Sequence, residues 1–131
     1  MTTDADKTIT IKLPLPPRDL SPNARVHWGR RHRHAQADRA LARLAALEGT
    51  MDTAIGLDWS RAEVQTIFYH RDKRKRDQDN LIAMMKSAYD GIADFLNVDD
   101  VGWMHVRIER RIDRDDPRVE VILTKAEEAG K

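Results

Sequence analysis

At 131 residues, with 40% hydrophobic and 34% charged side chains, the chain suits one core-bearing domain, too short to be two and too apolar to be disordered. The absence of cysteine excludes disulfide scaffolds, cysteine zinc sites and thiol nucleophiles, and the net charge of +1 singles out no partner. No apolar run nears the roughly 18–20 residues of a membrane span, and the acid-bearing start MTTDADKTIT is no secretory signal, so a cytoplasmic protein is expected.

Lys7–Leu13 (KTITIKL) alternates polar and apolar side chains and predicts a strand, which Pro14, Pro16 and Pro17 end. A long basic loop is expected next, through Arg33. Within residues 25–34 (RVHWGRRHRH) stand Arg25, Arg30, Arg31 and Arg33 with three histidines and no acid. His34–Leu47 predicts a helix, with Ala40, Leu41, Leu44 and Leu47 at helical spacing and Gly49 as its stop. Residues 50–60 carry no clear pattern. Ala62–His70 (AEVQTIFYH) predicts a second strand, which runs directly into RDKRKR. That segment holds Arg71, Lys73, Arg74, Lys75 and Arg76 against one acid. Either basic run by itself reads as a solvated loop; together, beside an acidic patch, they suit a protein that grips a phosphate backbone.

A helix is predicted from about 77–80 to Leu96. Leu81, Met84, Met85, Ala88, Tyr89, Ile92 and Phe95 share its broad apolar face, and Asp79, Ala83, Lys86 and Asp90 form a stripe opposite. Asn97, Asp99 and Asp100 make a turn. Strands at Gly102–Ile112 and Arg118–Thr124 follow, separated by the DRDDP turn that holds Asp115 and Asp116. The order β-α-β-α-β-β, with hairpin and crossover connections, predicts one α+β domain over 1–131: a mixed sheet with two main helices on one face. Residues 1–6 and 125–131 are expected to be frayed tails.

Asp77-Gln78-Asp79-Asn80 sets two carboxylates at a strand-to-helix transition. Aspartate and asparagine are favoured helix caps, and capping alone would account for them. Three features add weight to chemistry: the five cations just before them, Lys86 and Asp90 on the stripe of Asp79, and Asp99-Asp100 in the turn after the helix. Clustered acids raise one another's pKa unless a counter-charge intervenes, and a divalent cation is the common solution. Magnesium accepts a few carboxylates together with water and substrate phosphate, and a lysine adds a point charge for the transition state. Asp77, Asp79, Asp100 and Lys86 are thus a minimal set for phosphodiester hydrolysis.

These residues have a family likeness. R-D-x-D-N-L (Arg76–Leu81), K-x-x-x-D (Lys86–Asp90) and D-D (Asp99-Asp100) before a strand resemble the RusA family of Holliday-junction resolvases, as do LPLPP (Leu13–Pro17), Asn23 and the basic loop. The resemblance covers most of residues 9–123. It implies a homodimeric endonuclease of recombination and repair, often phage- or prophage-borne, that nicks four-way junctions symmetrically with magnesium, manganese substituting. It implies Asp77, Asp79 and Asp100 as metal ligands, Lys86 as the catalytic lysine and Arg76 as a basic residue beside the first acid; Asn80 and Asp99 are candidate supporting residues, and Asp90 is either another or an exposed residue of the stripe. The gap from DxDN to Lys86 is about one helical turn longer than the family pattern, a length that keeps Lys86 on the face of Asp79 in an unbroken helix.

His27, His32 and His34 sit in an arginine-rich loop and suit phosphate contact or plain exposure better than zinc. Trp28 and Trp103 are expected in the core or an interface rather than stacked on bases. Two other functions compete: a magnesium-dependent nucleotide pyrophosphohydrolase, for which paired E-x-x-E or E-x-x-D helix motifs are absent, and a non-catalytic DNA-binding protein in which the acids only cap.

Overall fold

Alternation of buried and solvent-facing side chains builds the sheet. The computed structural model describes residues 8–50 and 58–125; Lys7, the stretch 51–57 and the tails 1–6 and 126–131 lie outside them. Strand β1 (Thr8–Leu13) turns Ile9, Ile11 and Leu13 inward, and β4 (Arg118–Lys125) turns Val119, Val121 and Leu123 inward in antiparallel register with them. Strand β2 (Ala62–His70) pairs antiparallel with β4 and parallel with β3 (Trp103–Ile112), giving the order β1-β4-β2-β3 in a mixed sheet. Lys125 closes β4 and is not part of the expected tail.

No hairpin joins β3 to β4. The 113–117 turn instead arches over the end of β2, where Asp113 N donates to His70 O at 2.8 Å, and β4 enters on the far side. β3 is an edge strand. A register shift opposite Val64/Gln65 leaves Val106 without a partner, as in a β-bulge.

Helices α1 (Trp28–Thr50), α2 (Gln78–Met84) and α3 (Lys86–Leu96) contribute to the same core as the inward strand residues, so the α+β architecture stands. α1 begins six residues before the expected His34, which makes much of the basic loop helical. His27 starts it: its Nδ1 accepts from Gly29 N at 3.1 Å and its carbonyl from Arg31 N. The helix also runs past Gly49. A Cβ there would stand 2.8 Å from Thr10 O, so Gly49 permits close approach to β1 rather than a stop.

The leucines of α1 do not make its core face. Leu41, Leu44 and Leu47 are exposed, Leu44 to 65%, while Ala42, Ala46 and Thr50 are buried. The physical reason is the α1–α3 distance. A Cβ at Gly91 of α3 would lie 2.1 Å from Arg39 O and 3.0 Å from Ala42 Cβ, so only small side chains fit between the helices.

The predicted 77–96 helix is broken at Met85, which has φ −86° and ψ −4° and donates to Ile82 O, a tighter 3-10 closure. Leu81, Met85, Ala88, Tyr89 and Ile92 are buried as expected. Asn97 ends α3 at φ 58°, a left-handed cap that asparagine tolerates. Trp103 is buried and donates Nε1–H to Trp59 O at 2.7 Å, whereas Trp28 is outside the core, 76% exposed in the single chain, and stacks on His27.

Candidate active site

The basic segment after β2 owes its shape to its one acid. Asp72 Oδ1 accepts from Arg74 N and from Arg76 Nη2, each at 3.0 Å, and Arg76 Nη1 donates to the carbonyls of Asp72 and Arg74. From the edge strand, Arg110 Nη1 donates to Arg76 O at 2.7 Å. The Arg74 amide, then the Arg76 side chain, hold the Asp72 carboxyl below the usual carboxylate range. Arg76 is therefore tied into the turn, and Arg71, Lys73, Arg74 and Lys75 are left exposed.

Asp77 follows at once as the cap of α2, its Oδ1 accepting from Asp79 N at 2.9 Å. Both Asp77 and Asp79 are exposed, and Asn80 is half-buried. Capping uses one oxygen of Asp77.

Lys86 lies beyond the Met85 break, in a different helix from Asp79. Its Nζ donates to Asp90 Oδ1 at 3.0 Å. That hydrogen bond, with the charges of Asp90 and Asp100, holds the ammonium pKa above its ordinary value. The other oxygen of Asp90 stands 3.9 Å from Arg39 Nη1, and Arg39 forks onto Asp94 at 2.6 and 2.8 Å.

Asp100 opens a 3-10 turn (Asp100–Gly102) that Asp99 caps by accepting from Val101 N at 3.0 Å. The turn delivers β3 at the Ala62 end of β2, whereas Asp77 follows the His70 end. Asp100 is felt by Lys86 and by His105, whose ring lies 4.7 Å from that of Tyr89. The structure thus bonds Lys86 to Asp90 and Asp77 to the Asp79 backbone, and Asp100 acts on Lys86 only through its charge. Among the described residues, no three His, Asp or Glu side chains converge to hold one metal ion.

The first basic run is divided likewise. Arg30 and His34 pair with Asp19 at 2.8 and 3.2 Å, and Arg31 donates to Ala24 O at 2.8 Å. Arg25, Arg33 and His32 are exposed. Asp113 Oδ1 accepts from the amides of Asp115 and Asp116, as a turn requires.

Three residues escaped the sequence reading. Arg39 and Arg110 act through partners that only helix packing and strand pairing reveal. His70 could have been flagged, as a polar residue at an inward position of an alternating strand. It is 5% exposed, and its Nε2 has no hydrogen-bond partner. Burial first, then Arg76 and Arg110, lower its pKa, so the imidazole is held neutral.

No protein-family model matches the chain. An uncharacterized protein of Xylella fastidiosa (strain Temecula1 / ATCC 700964) is 38% identical over 92 residues, which is 70% of this chain. The chain spans 60% of that relative's length.

Proposed function

We propose that the protein is a magnesium-dependent, structure-selective DNA endonuclease of the RusA type, which resolves four-way junctions by paired nicks. The observation that carries this reading is the run of exposed cations, held in shape by Asp72 and Arg110, that leads without a gap into exposed Asp77 and Asp79. The donor set fits a hard cation. Asp77 keeps an oxygen beyond the one used in capping, and magnesium is commonly held by one or two carboxylates with water and substrate phosphate. Asp77 and Asp79 would hold it; Asp100, at the other end of β2, stands apart from that pair in one chain. When bound, the cation supplies Lewis-acid polarisation of the phosphodiester, and manganese would supply the same.

The chain's own groups do the rest. Arg71, Lys73, Arg74 and Lys75, with Arg25 and Arg33, bind backbone phosphates and fix the strand. Lys86, kept protonated by Asp90, offers a fixed positive charge beside Asp100. Two symmetric nicks need two such sites, which a C2 homodimer provides.

Asparagine caps helices as well as aspartate does, so Asp77→Asn removes a charge without removing the cap. Asp77→Asn and Asp79→Asn are expected to bind a labelled junction and fail to cut it in magnesium. Cutting at the wild-type rate by either variant overturns the site. A wild-type protein that shifts the junction without cutting it marks a non-catalytic binder. A cruciform plasmid reads the pairing: linear product is expected, and nicked circles alone would leave a simpler nuclease.

A further inference from the structure

Between the end of β2, the 71–76 segment, α2 and the 15–24 segment lies an open cavity of about 930 Å³. That falls within the roughly 300–1,000 Å³ of small-molecule sites. Its walls are apolar where Leu15, Pro16, Leu81 and Met84 face it. Arg18, Arg71, Arg74, Lys75 and Arg76 also line it, as does Asp77. His70 also lines it, buried and with Nε2 unpartnered.

We propose that this cavity takes one unpaired nucleotide of a DNA strand, its base against the apolar wall and its polar edge hydrogen-bonded to His70 Nε2. Cost decides the orientation. A phosphodiester carries a full charge, and seating it against Leu81 and Met84 would strip its hydration, whereas the cations of the lining can meet it where it stays hydrated. Arg74 and Lys75 are such cations, exposed to solvent. A base has apolar faces and a polar edge, which match the wall and a lone buried polar atom; an unmet polar atom is costly and meeting it is favourable. With the base inside, its sugar-phosphate runs along the lining that contains Asp77. The inference rests on the nuclease reading for the source of the nucleotide, since branched DNA presents unpaired or unstacked nucleotides at its crossover. The pocket itself needs no metal.

The test uses the full chain in EDTA, so that nothing is cut. Imidazole signals are followed by NMR, that of His70 being assigned by its loss in His70→Gln. Thymidine 5′-monophosphate is expected to move the His70 signal, and inorganic phosphate at the same concentration to leave it in place. Equal movement with phosphate would reduce the cavity to an anion site, and no movement with either would empty the proposal. In parallel, a short thymidine oligonucleotide is expected to bind about tenfold tighter than an abasic strand with the same number of phosphates. His70→Gln should narrow that ratio; equal affinities in the wild type overturn the base pocket. A protein that passes both measurements yet cuts no junction in magnesium keeps the nucleotide pocket and loses the nuclease reading.

Discussion

One imidazole ties stability to pH. Burial, then Arg76 and Arg110, lower the pKa of His70, so the unfolded chain binds a proton that the folded chain resists. Its stabilising contribution is complete above the ordinary histidine value of about 6.5 and is lost as pH falls below it toward the depressed folded value. Urea midpoints are expected to drop between pH 7.5 and 5.5. His70→Gln should flatten the slope, by up to about 1.4 kcal/mol per pH unit for that proton. An identical slope in the variant would mean that His70 charges as easily in the folded state as in the unfolded one. Asp77 carries the second effect at this scale. Removing its cap with Asp77→Ala should cost about 1 kcal/mol, and Asp77→Asn only a few tenths, in urea unfolding. A loss of cutting without a loss of stability in the asparagine variant separates the carboxylate's charge from its cap.

Among elements, the α1–α3 contact sets what the rest can do. Gly91 lets α3 approach the Arg39 carbonyl, and Arg39 in turn joins α1 to Asp94 and lies near Asp90. Gly91→Ala would put a methyl 2.1 Å from a backbone oxygen, which no rotamer change relieves. A helix gains from alanine in place of glycine, yet overpacking here should outweigh it, with a net loss of about 1–3 kcal/mol on chemical denaturation. Retained stability would show that the helices can separate without penalty. The Met85 break has a related consequence. Because α2 is a separate short helix, Asp79 is positioned by its own cap and by buried Leu81, not by α3.

At the scale of the molecule, cations are exposed on two segments while the acids of the sheet's outer face are spent on one another's partners. Arg118 bonds Asp113 and Glu120 and lies 3.8 Å from the Tyr69 ring, and Lys12 pairs with Asp116. This leaves the 71–76 segment as the freer positive surface. DNA affinity should therefore fall steeply with salt. Arg74→Ala combined with Lys75→Ala should reduce the log–log slope by nearly two, because each lost phosphate contact releases about one counterion fewer. An unchanged slope would make the segment ordinary surface. Light scattering at micromolar concentration is expected to give twice 15.1 kDa, the homodimer that paired nicking requires.

Local chemistry sufficed for much of this. Alternation in TITIKL marked β1, since a strand with one buried face must alternate, and the β-branched and aromatic content of AEVQTIFYH marked β2, which is buried on both faces at Thr66–Phe68. The Asp77 cap and the 113–116 turn were legible because short polar side chains bond their own backbone amides. What the sequence could not determine depends on neighbours distant along the chain. The apolar count on α1 favoured the leucines, but the approach of α3 admits only alanine and glycine between the helices. A turn between β3 and β4 suggested a hairpin, but β2 already occupied the place beside β3. Lys86 and Asp90 paired as their helical spacing predicted, but the break at Met85, which puts Asp79 in a different helix, was not visible in the spacing. His70 was one more strand residue until sheet, turn and cationic segment closed around it and left Nε2 without a partner. Burial is a property of what surrounds a residue, and only the tertiary structure supplies that.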